Sequence, residues 1–423
     1  MQAGCPEGDM EVQKRMSVIA LVSLLGACSQ KSSNSVFPES VVQAAACSGE
    51  MIRNQFIVQW ENGKVSLEAG ADAEIFKQEF LEKRLSQVRH VEFNKKIKLH
   101  PAVVKDDQFY QAQARDLVNW GQEHVEAEVI WRAGFKGQGV KVGVVDTAVD
   151  INHVQLKSRI NVNTAELLGR SGVDDDANGL ADDVYGWDFL YDVPQGERTV
   201  VDSHGTHVSG IVAADHTQGP IKGLAPETKI IPASFLSEDG DGDLYGALRA
   251  LDYVAAQGVK IINASWGGPN CSKTLQDTLQ RLTDQDILVV VAAGNSGLDL
   301  DNYPDYPAAF ETPAQITVAA LKPSGYLAGF SNTSFRYVHL AAPGESIYST
   351  VPGNQYGSMN GTSMAAPFVA GAAAVLRSAK PTATALQVKQ AMMETVDRGN
   401  FRVQSQGSLN LKKALARLQQ LVP

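Results

Sequence analysis

Two patterns of apolar positions divide the chain. In the first part, Gln55-Phe56-Ile57-Val58-Gln59-Trp60 reads as a strand. Ala73 to Leu85 places Ile75, Phe76, Phe80, Leu81 and Leu85 at helical spacing, and Val88 to Phe93 alternates again. Residues 52–105 therefore predict a small α+β unit in β-α-β order. Residues 106–119 are polar and lack a strand pattern, which predicts an exposed linker.

From Trp120 the pattern changes. Val140 to Val145 is a Val/Gly run ending at Asp146, and Lys229 to Leu236 is a second apolar run. Leu244 to Gln257 has helical Leu/Ala/Tyr spacing. Val259–Ala264 predicts a strand, Thr274–Asp284 a helix, and Ile287–Ala293 another strand. Near-continuous apolar strands alternating with helices predict an α/β fold over 120–423: a parallel central sheet with helices on both faces. Such sheets bind ligands beyond the carboxyl ends of their strands.

Candidate chemistry lies at those ends. Asp146 closes the first strand, and Asn295 follows Ile287–Ala293. Ser203-His204-Gly205-Thr206-His207-Val208-Ser209-Gly210 opens one small-residue helix. Asn360-Gly361-Thr362-Ser363-Met364-Ala365-Ala366-Pro367 opens another, rich in alanine. A serine hydroxyl needs an adjacent base to become a nucleophile. Histidine takes that proton near neutral pH, and a buried aspartate fixes its tautomer. A helix N-terminus around Ser363 offers unpaired N–H groups to a developing oxyanion, and the Asn295 amide offers a second donor.

The order Asp, His, Ser, with these neighbourhoods, resembles the subtilisin-like serine proteases from about Trp120 to the C-terminus. Gly205 to Gly210 after His204, Gly361 to Pro367 around Ser363, and Ala293-Gly294-Asn295-Ser296-Gly297 carry the resemblance, at intervals of 58, 91 and 68 residues from Asp146 to Ser363. It implies a serine endopeptidase acting through an acyl-enzyme. Ser363 would be the nucleophile, His204 the base, Asp146 its orienting carboxylate and Asn295 an oxyanion donor. Two departures from the family pattern stand in the first loop. Ala148 occupies a position that is usually Gly, and Asn152-His153-Val154-Gln155-Leu156 lacks the usual Pro and Asp.

The resemblance also implies a cleft for protein or peptide substrates. Its walls would be Ser237 to Gly242, with Gly240 and Gly242, and Ala264 to Gly268, with Ser265, Trp266 and Gly267. Main-chain recognition by glycines implies broad specificity. Glu238, Asp239, Asp241 and Asp243 suit either basic substrate side chains or a solvated loop. A narrow-specificity processing protease and a silent protease-shaped binding module remain as alternatives. Residues 52–105 would be a propeptide that helps the protease fold and then occupies its cleft, with processing within 106–119.

Asp174-Asp175-Asp176-Ala177-Asn178-Gly179-Leu180-Ala181-Asp182-Asp183 resembles the first nine positions of a calcium loop, with Asp174, Asp176, Asn178, the Leu180 carbonyl and Asp182 as ligands. The twelfth position is Tyr185, so the bidentate Glu is missing, and Asp183 is a substitute. Structural calcium is the expected cofactor. No catalytic metal is expected, because His204 and His207 are three apart, unlike a zinc helix. His207 reads as structural, and His124, His153 and His216 as surface or packing residues.

Lys14 and Arg15 precede an apolar run from Met16 to Ala27. That run is too short to span a bilayer, which takes about 20 residues, and it reads as a signal segment over 1–28. Leu25-Gly26-Ala27-Cys28 resembles a bacterial lipoprotein signal, with Cys28 as the lipidated residue and the only membrane attachment. Residues 29–51 read as a tether. The expected location is the bacterial cell envelope, or the extracellular space after processing. Cys5 would leave with the signal and Cys28 would carry lipid. Cys47 and Cys271 remain, in different units, and no structural disulfide is expected.

Composition sets outer limits. The chain has 423 residues, 44% hydrophobic and 20% charged, which is typical of a globular protein and unlike a disordered, collagenous or multi-span one. A net charge of −10 opposes sequence-independent nucleic-acid binding, which needs a basic face.

Overall fold

A computed structural model describes residues 50–99, 119–197 and 201–422. The signal segment, Cys28, Cys47 and nearly all of the expected linker 106–119 lie outside the described residues. Six parallel strands form the centre: β4 (Lys141–Thr147), β5 (Lys229–Leu236), β7 (Ile261–Ala264), β8 (Leu288–Ala292), β9 (Gln315–Leu321) and β10 (Leu340–Pro343). Their spatial order is β10-β9-β8-β7-β4-β5, every adjacent pair parallel. The Val- and Ile-rich sequences of β7 and β8 are buried along their whole length, as strands covered on both faces must be. The expected boundaries agree to within one or two residues; β9 and β10 are additional.

The chain leaves β4 toward β5 on one side and later returns to β7 on the other. That reversal opens a crevice at the carboxyl ends of β4 and β7. Helices α1 (Ser203–Ala213) and α4 (Thr362–Ala379) pack on each other in the core, and α2 (Leu244–Ala256) and α3 (Lys273–Asp284) are amphipathic covers. Helix α1 is buried almost all round, which its Gly, Ser and Val positions permit.

The front unit has β-β-α-β order: β1 (Met51–Trp60), β2 (Val65–Ala69), the helix Ala73–Phe76 continued by a π-turn Lys77–Leu81, and β3 (Val88–Lys98). Strand β2 is the difference from the expected β-α-β. Its residues are half-buried without strict alternation, so its pattern is weak. Strand β1 alternates in its environment. Phe56 and Val58 pack under the front helix with Phe76 and Leu81, whereas Ile57 points into the main core. The front sheet is continuous with the central one. Strand β3 pairs antiparallel with the short β6 (Asp241–Asp243), which pairs with β5.

The front unit also supplies caps to two central helices. Glu92 Oε1 accepts from Ser272 Oγ at 2.6 Å and from Thr274 N at 3.0 Å, at the start of α3. Asn94 Oδ1 accepts from Tyr245 N at 3.1 Å, at the start of α2. The bonds from Thr274 N and Tyr245 N satisfy N–H groups that a helix start leaves unpaired.

One expectation is corrected. Cys271, just before α3, is disulfide-bonded. Its partner lies outside the described residues, and every other cysteine of the chain precedes Glu50. Residence in different units does not prevent pairing when the units dock. The docked front unit removes that separation: Lys95 Nζ donates to the Cys271 carbonyl at 2.6 Å.

Candidate active site

Asp146 is the penultimate residue of β4 and is fully buried. His204 is the second residue of α1, whose N-cap Asp202 accepts from His204 N at 2.6 Å. His204 Nδ1 donates to Asp146 Oδ1 at 2.6 Å. The approach depends on Gly205, where a Cβ would stand 2.3 Å from the Thr147 carbonyl oxygen. Instead Gly205 N donates to Thr147 Oγ1 at 2.9 Å, and that hydroxyl donates to Asp202 Oδ1 at 2.8 Å. Helix α1 is thereby fastened to the end of β4 on both sides of the His204–Asp146 bond.

With Nδ1–H committed to the carboxylate, Nε2 carries the free lone pair. It is buried and has no partner among the described residues. Burial works against the imidazolium, but the charge and hydrogen bond of Asp146, with the charge of Asp202, outweigh it. His204 therefore titrates above the usual histidine value. Burial raises Asp202, against the hydrogen bonds from His204 N and Thr147.

Ser363 is the second residue of α4 and is buried; its Oγ donates to the Ser265 carbonyl at 3.1 Å. Asn295 lies beyond β8, after Gly294. Gly294 has φ +101°, and a Cβ there would meet Asn332 Nδ2 at 2.4 Å, so glycine is required twice over. Asn295 Oδ1 accepts from Thr362 N and Thr362 Oγ1, both at 2.8 Å. Those bonds fix the amide orientation and leave Nδ2 buried without a partner among the described residues.

The departures in the first loop are accommodated. Ala148 is buried and is not among the residues with positive φ, so its methyl costs the turn nothing. His153, expected as a surface or packing residue, is fully buried; its Nε2 lies 3.1 Å from the Gln355 carbonyl and its Nδ1 accepts from Gln155 N. His207 is buried with Nε2 near the carbonyls of Ile347 and Gly357, at 3.0 and 3.1 Å. Burial pushes it down to about 3, so it is neutral at physiological pH. His216 stacks edge-on against Trp131.

The expected cleft walls have these neighbours. Gly242 pairs with Ile97, and Leu99 N donates to the Gly240 carbonyl at 2.7 Å. Gly240 has φ +77°, and a Cβ there would lie 2.6 Å from Leu99 Cβ. The front strand thus occupies this edge as an added antiparallel strand. Asp241 faces Lys98, their charged atoms 3.1 Å apart, and Asp243 caps α2 through Gly246 N. Trp266 and Gly267 line an apolar cavity of about 360 Å³ whose walls include Ile97, Leu244, Leu275 and Tyr306. Ser265 is buried, its hydroxyl committed to the Ser363 carbonyl.

The acidic loop converges differently from a linear calcium motif. Among the described residues, ligand atoms of Glu166, Asp176 and Asp183 lie within 4.8 Å of one another. Glu166, from the short helix Thr164–Leu168, gives no sequence signal. Its oxygens also accept from Asp175 N, Asp176 N and Asp182 N. Asp174 instead accepts from Asn178 N and Gly179 N, and Asp182 from Gly172 N. Asn178 Nδ2 donates to Asp183 and Asp176, and so does Asn163 Nδ2. Burial raises Asp183 despite the hydrogen bonds from Tyr253, Asn178 and Asn163.

At the level of class, this is an α/β fold whose parallel sheet carries the bonded Asp146–His204 pair at one rim, with Ser363 Oγ bonded to the Ser265 carbonyl rather than to His204. Comparison with known proteins narrows the class. The profile of the Subtilase family matches residues 137–411, and the chain belongs to that family. It is 34% identical to subtilisin DY of Bacillus licheniformis over 300 residues, covering 70% of this chain and 98% of that protein. It is 35% identical to the major intracellular serine protease of Bacillus subtilis (strain 168) over 262 residues, covering 61% and 74%. Among solved structures, fervidolysin from Fervidobacterium pennivorans, a keratinolytic enzyme related to subtilisin, matches with a TM-score of 0.69 at 25% identity, over 87% of this chain and 61% of that one. The chain is a serine endopeptidase of the subtilase family.

Proposed function

We propose that the chain hydrolyses peptide bonds with Ser363 as nucleophile, His204 as general base and then acid, and Asp146 as the orienting carboxylate. The observation that carries this reading is a pair of orphaned polar atoms, His204 Nε2 and Asn295 Nδ2. Both are buried, and each belongs to a side chain whose other polar atom is firmly held. A buried polar atom without a partner asks for an explanation, and a catalytic role is one; what sets this pair apart is that both atoms belong to the residues of the Asp146, His204, Asn295 and Ser363 constellation. Ser363 Oγ attacks the substrate carbonyl and passes its proton to His204 Nε2. The oxyanion accepts hydrogen bonds from Asn295 Nδ2 and from N–H groups at the start of α4. As the C–N bond breaks, His204 returns the proton to the leaving amine. Water, deprotonated by the same imidazole, then releases the acyl group.

The rim around Gly240 and Gly242 favours extended peptides, since it already accepts one strand by main-chain bonds. Residues 52–105 act as a propeptide whose last strand fills the cleft until processing within 106–119. Export and the lipid on Cys28 rest on the leading sequence. Structural calcium suits an all-oxygen donor set of Glu166, Asp176 and Asp183, to none of which a basic side chain is bonded among the described residues. Rotating the Asn163 or Asn178 amide would present a further oxygen. A fluorophosphonate probe tests the nucleophile: the mature protein should be labelled and Ser363→Ala should not, and equal labelling of both would remove the assignment.

A further inference from the structure

In an α-helix each carbonyl accepts the N–H of the residue four positions on. For Ser363 that residue is Pro367, inside α4, which has no N–H and whose ring crowds the carbonyl four residues earlier. The nucleophile's own carbonyl is therefore turned out of the helix ladder. It is captured from just beyond the neighbouring strand: Ser265 Oγ donates to Ser363 O at 2.9 Å. Asn263 Nδ2 donates to Ser265 Oγ at 2.9 Å, which directs the hydroxyl proton toward that carbonyl. Ser363 Oγ returns a bond to the Ser265 carbonyl at 3.1 Å. Asn263, Ser265 and Ser363 are each at most 1% exposed, so water does not compete for these bonds.

We propose that Ser265 is a positioning residue for the nucleophile, made necessary by Pro367. Its hydroxyl stands in for the missing helix bond and ties the first turn of α4 to the end of β7. Strand β7 lies between β4, which carries Asp146, and β8, which leads to Asn295. The Ser265 bond thus references Ser363 to the same sheet that holds its partners. This differs from a substrate-contacting role for Ser265, and it rests on the reading of Ser363 as nucleophile.

The test removes the hydroxyl in two backgrounds. Ser265→Ala should lower kcat by roughly 10- to 100-fold with KM within about twofold, the size expected for slight misplacement of a reacting group. Pro367→Ala restores an N–H to the helix ladder, so in that background the same removal should cost less than about threefold. Ser265→Thr, which keeps the hydroxyl, should retain most of the wild-type kcat. Active-site titration normalises each rate to correctly folded enzyme. An equal loss in both backgrounds, a loss carried by KM, or a threonine variant as slow as alanine overturns the proposal. Ser363→Ala is measured alongside; hydrolysis by that variant would sink the nucleophile assignment separately.

Discussion

His204 is held between two aspartates that do different things: Asp146 accepts from its ring at 2.6 Å, and Asp202 accepts from its backbone N–H at 2.6 Å. One fixes the imidazole and the other fixes the start of its helix. Their charges, Asp146's first, raise the histidine against the effect of burial. A general base works in its neutral form, so kcat/KM should rise with pH through the His204 pKa, above the ordinary histidine value near 6.5. Asp146→Asn should move that limb to lower pH and reduce kcat by roughly 10⁴-fold, a magnitude known for such triads. A pH–rate profile measures both, and an unmoved limb would rule out the coupling. Because the folded-state pKa is raised, the pair's contribution to stability is full below the unfolded value and declines as pH rises through the folded one.

Asn295 has one bonded job and one proposed job, which substitution separates. Its oxygen holds Thr362 N and Oγ1, while its nitrogen is free. Asn295→Ala should lower kcat by roughly 10²–10³-fold, a size taken from a related protease, and leave KM nearly unchanged. The freed Thr362 groups should cost stability of about 1–2 kcal/mol, read as a lowered Tm. A variant that loses binding as much as turnover would refute the oxyanion role.

The legible parts were those with strong local signatures. Strands β7 and β8 are apolar runs because both faces are buried, and the Gly-bearing motifs around His204 and Ser363 mark places where helices must approach strands closely. Strand β2 was not legible, because a half-exposed edge strand has a weak pattern. Strand β3 runs to Lys98, past the predicted Phe93, because its end pairs with β6, a partner about 145 residues away. Glu166 was invisible for a similar reason: only the fold brings it to Asp176 and Asp183. Asp202 could have been found, since an Asp just before a helical run is a capping signal.

Calcium and the acidic loop give a prediction that separates the linear motif from the folded cluster. Chelation should lower the Tm of the mature protein and speed its autolysis. That shift should persist in Asp174→Asn, whose carboxylate serves backbone N–H groups, and vanish in Asp183→Asn, a buried member of the cluster. A Tm indifferent to chelator in the parent protein would remove the calcium assignment.

If the proposed cut within 106–119 is made, the Cys271 disulfide changes what it can release. All other cysteines precede Glu50, and the front unit lies between them and the linker. A cut within 106–119 therefore opens the backbone while sulfur still joins the front unit to the start of α3. A tethered inhibitor acts at an effective concentration in the millimolar range for short links, far above that of a released fragment. Disulfides persist in the oxidising compartments that an exported protein meets. Processed protein should run as one species on a non-reducing gel and as two under reduction. A dithiol reductant, itself oxidised as Cys271 and its partner become thiols, should raise activity in dilute solution. Cys271→Ser should show that higher activity without reductant. Separation of the fragments on the non-reducing gel would show that the partner cysteine is lost before or during processing, and that the front unit is then held by non-covalent contacts alone.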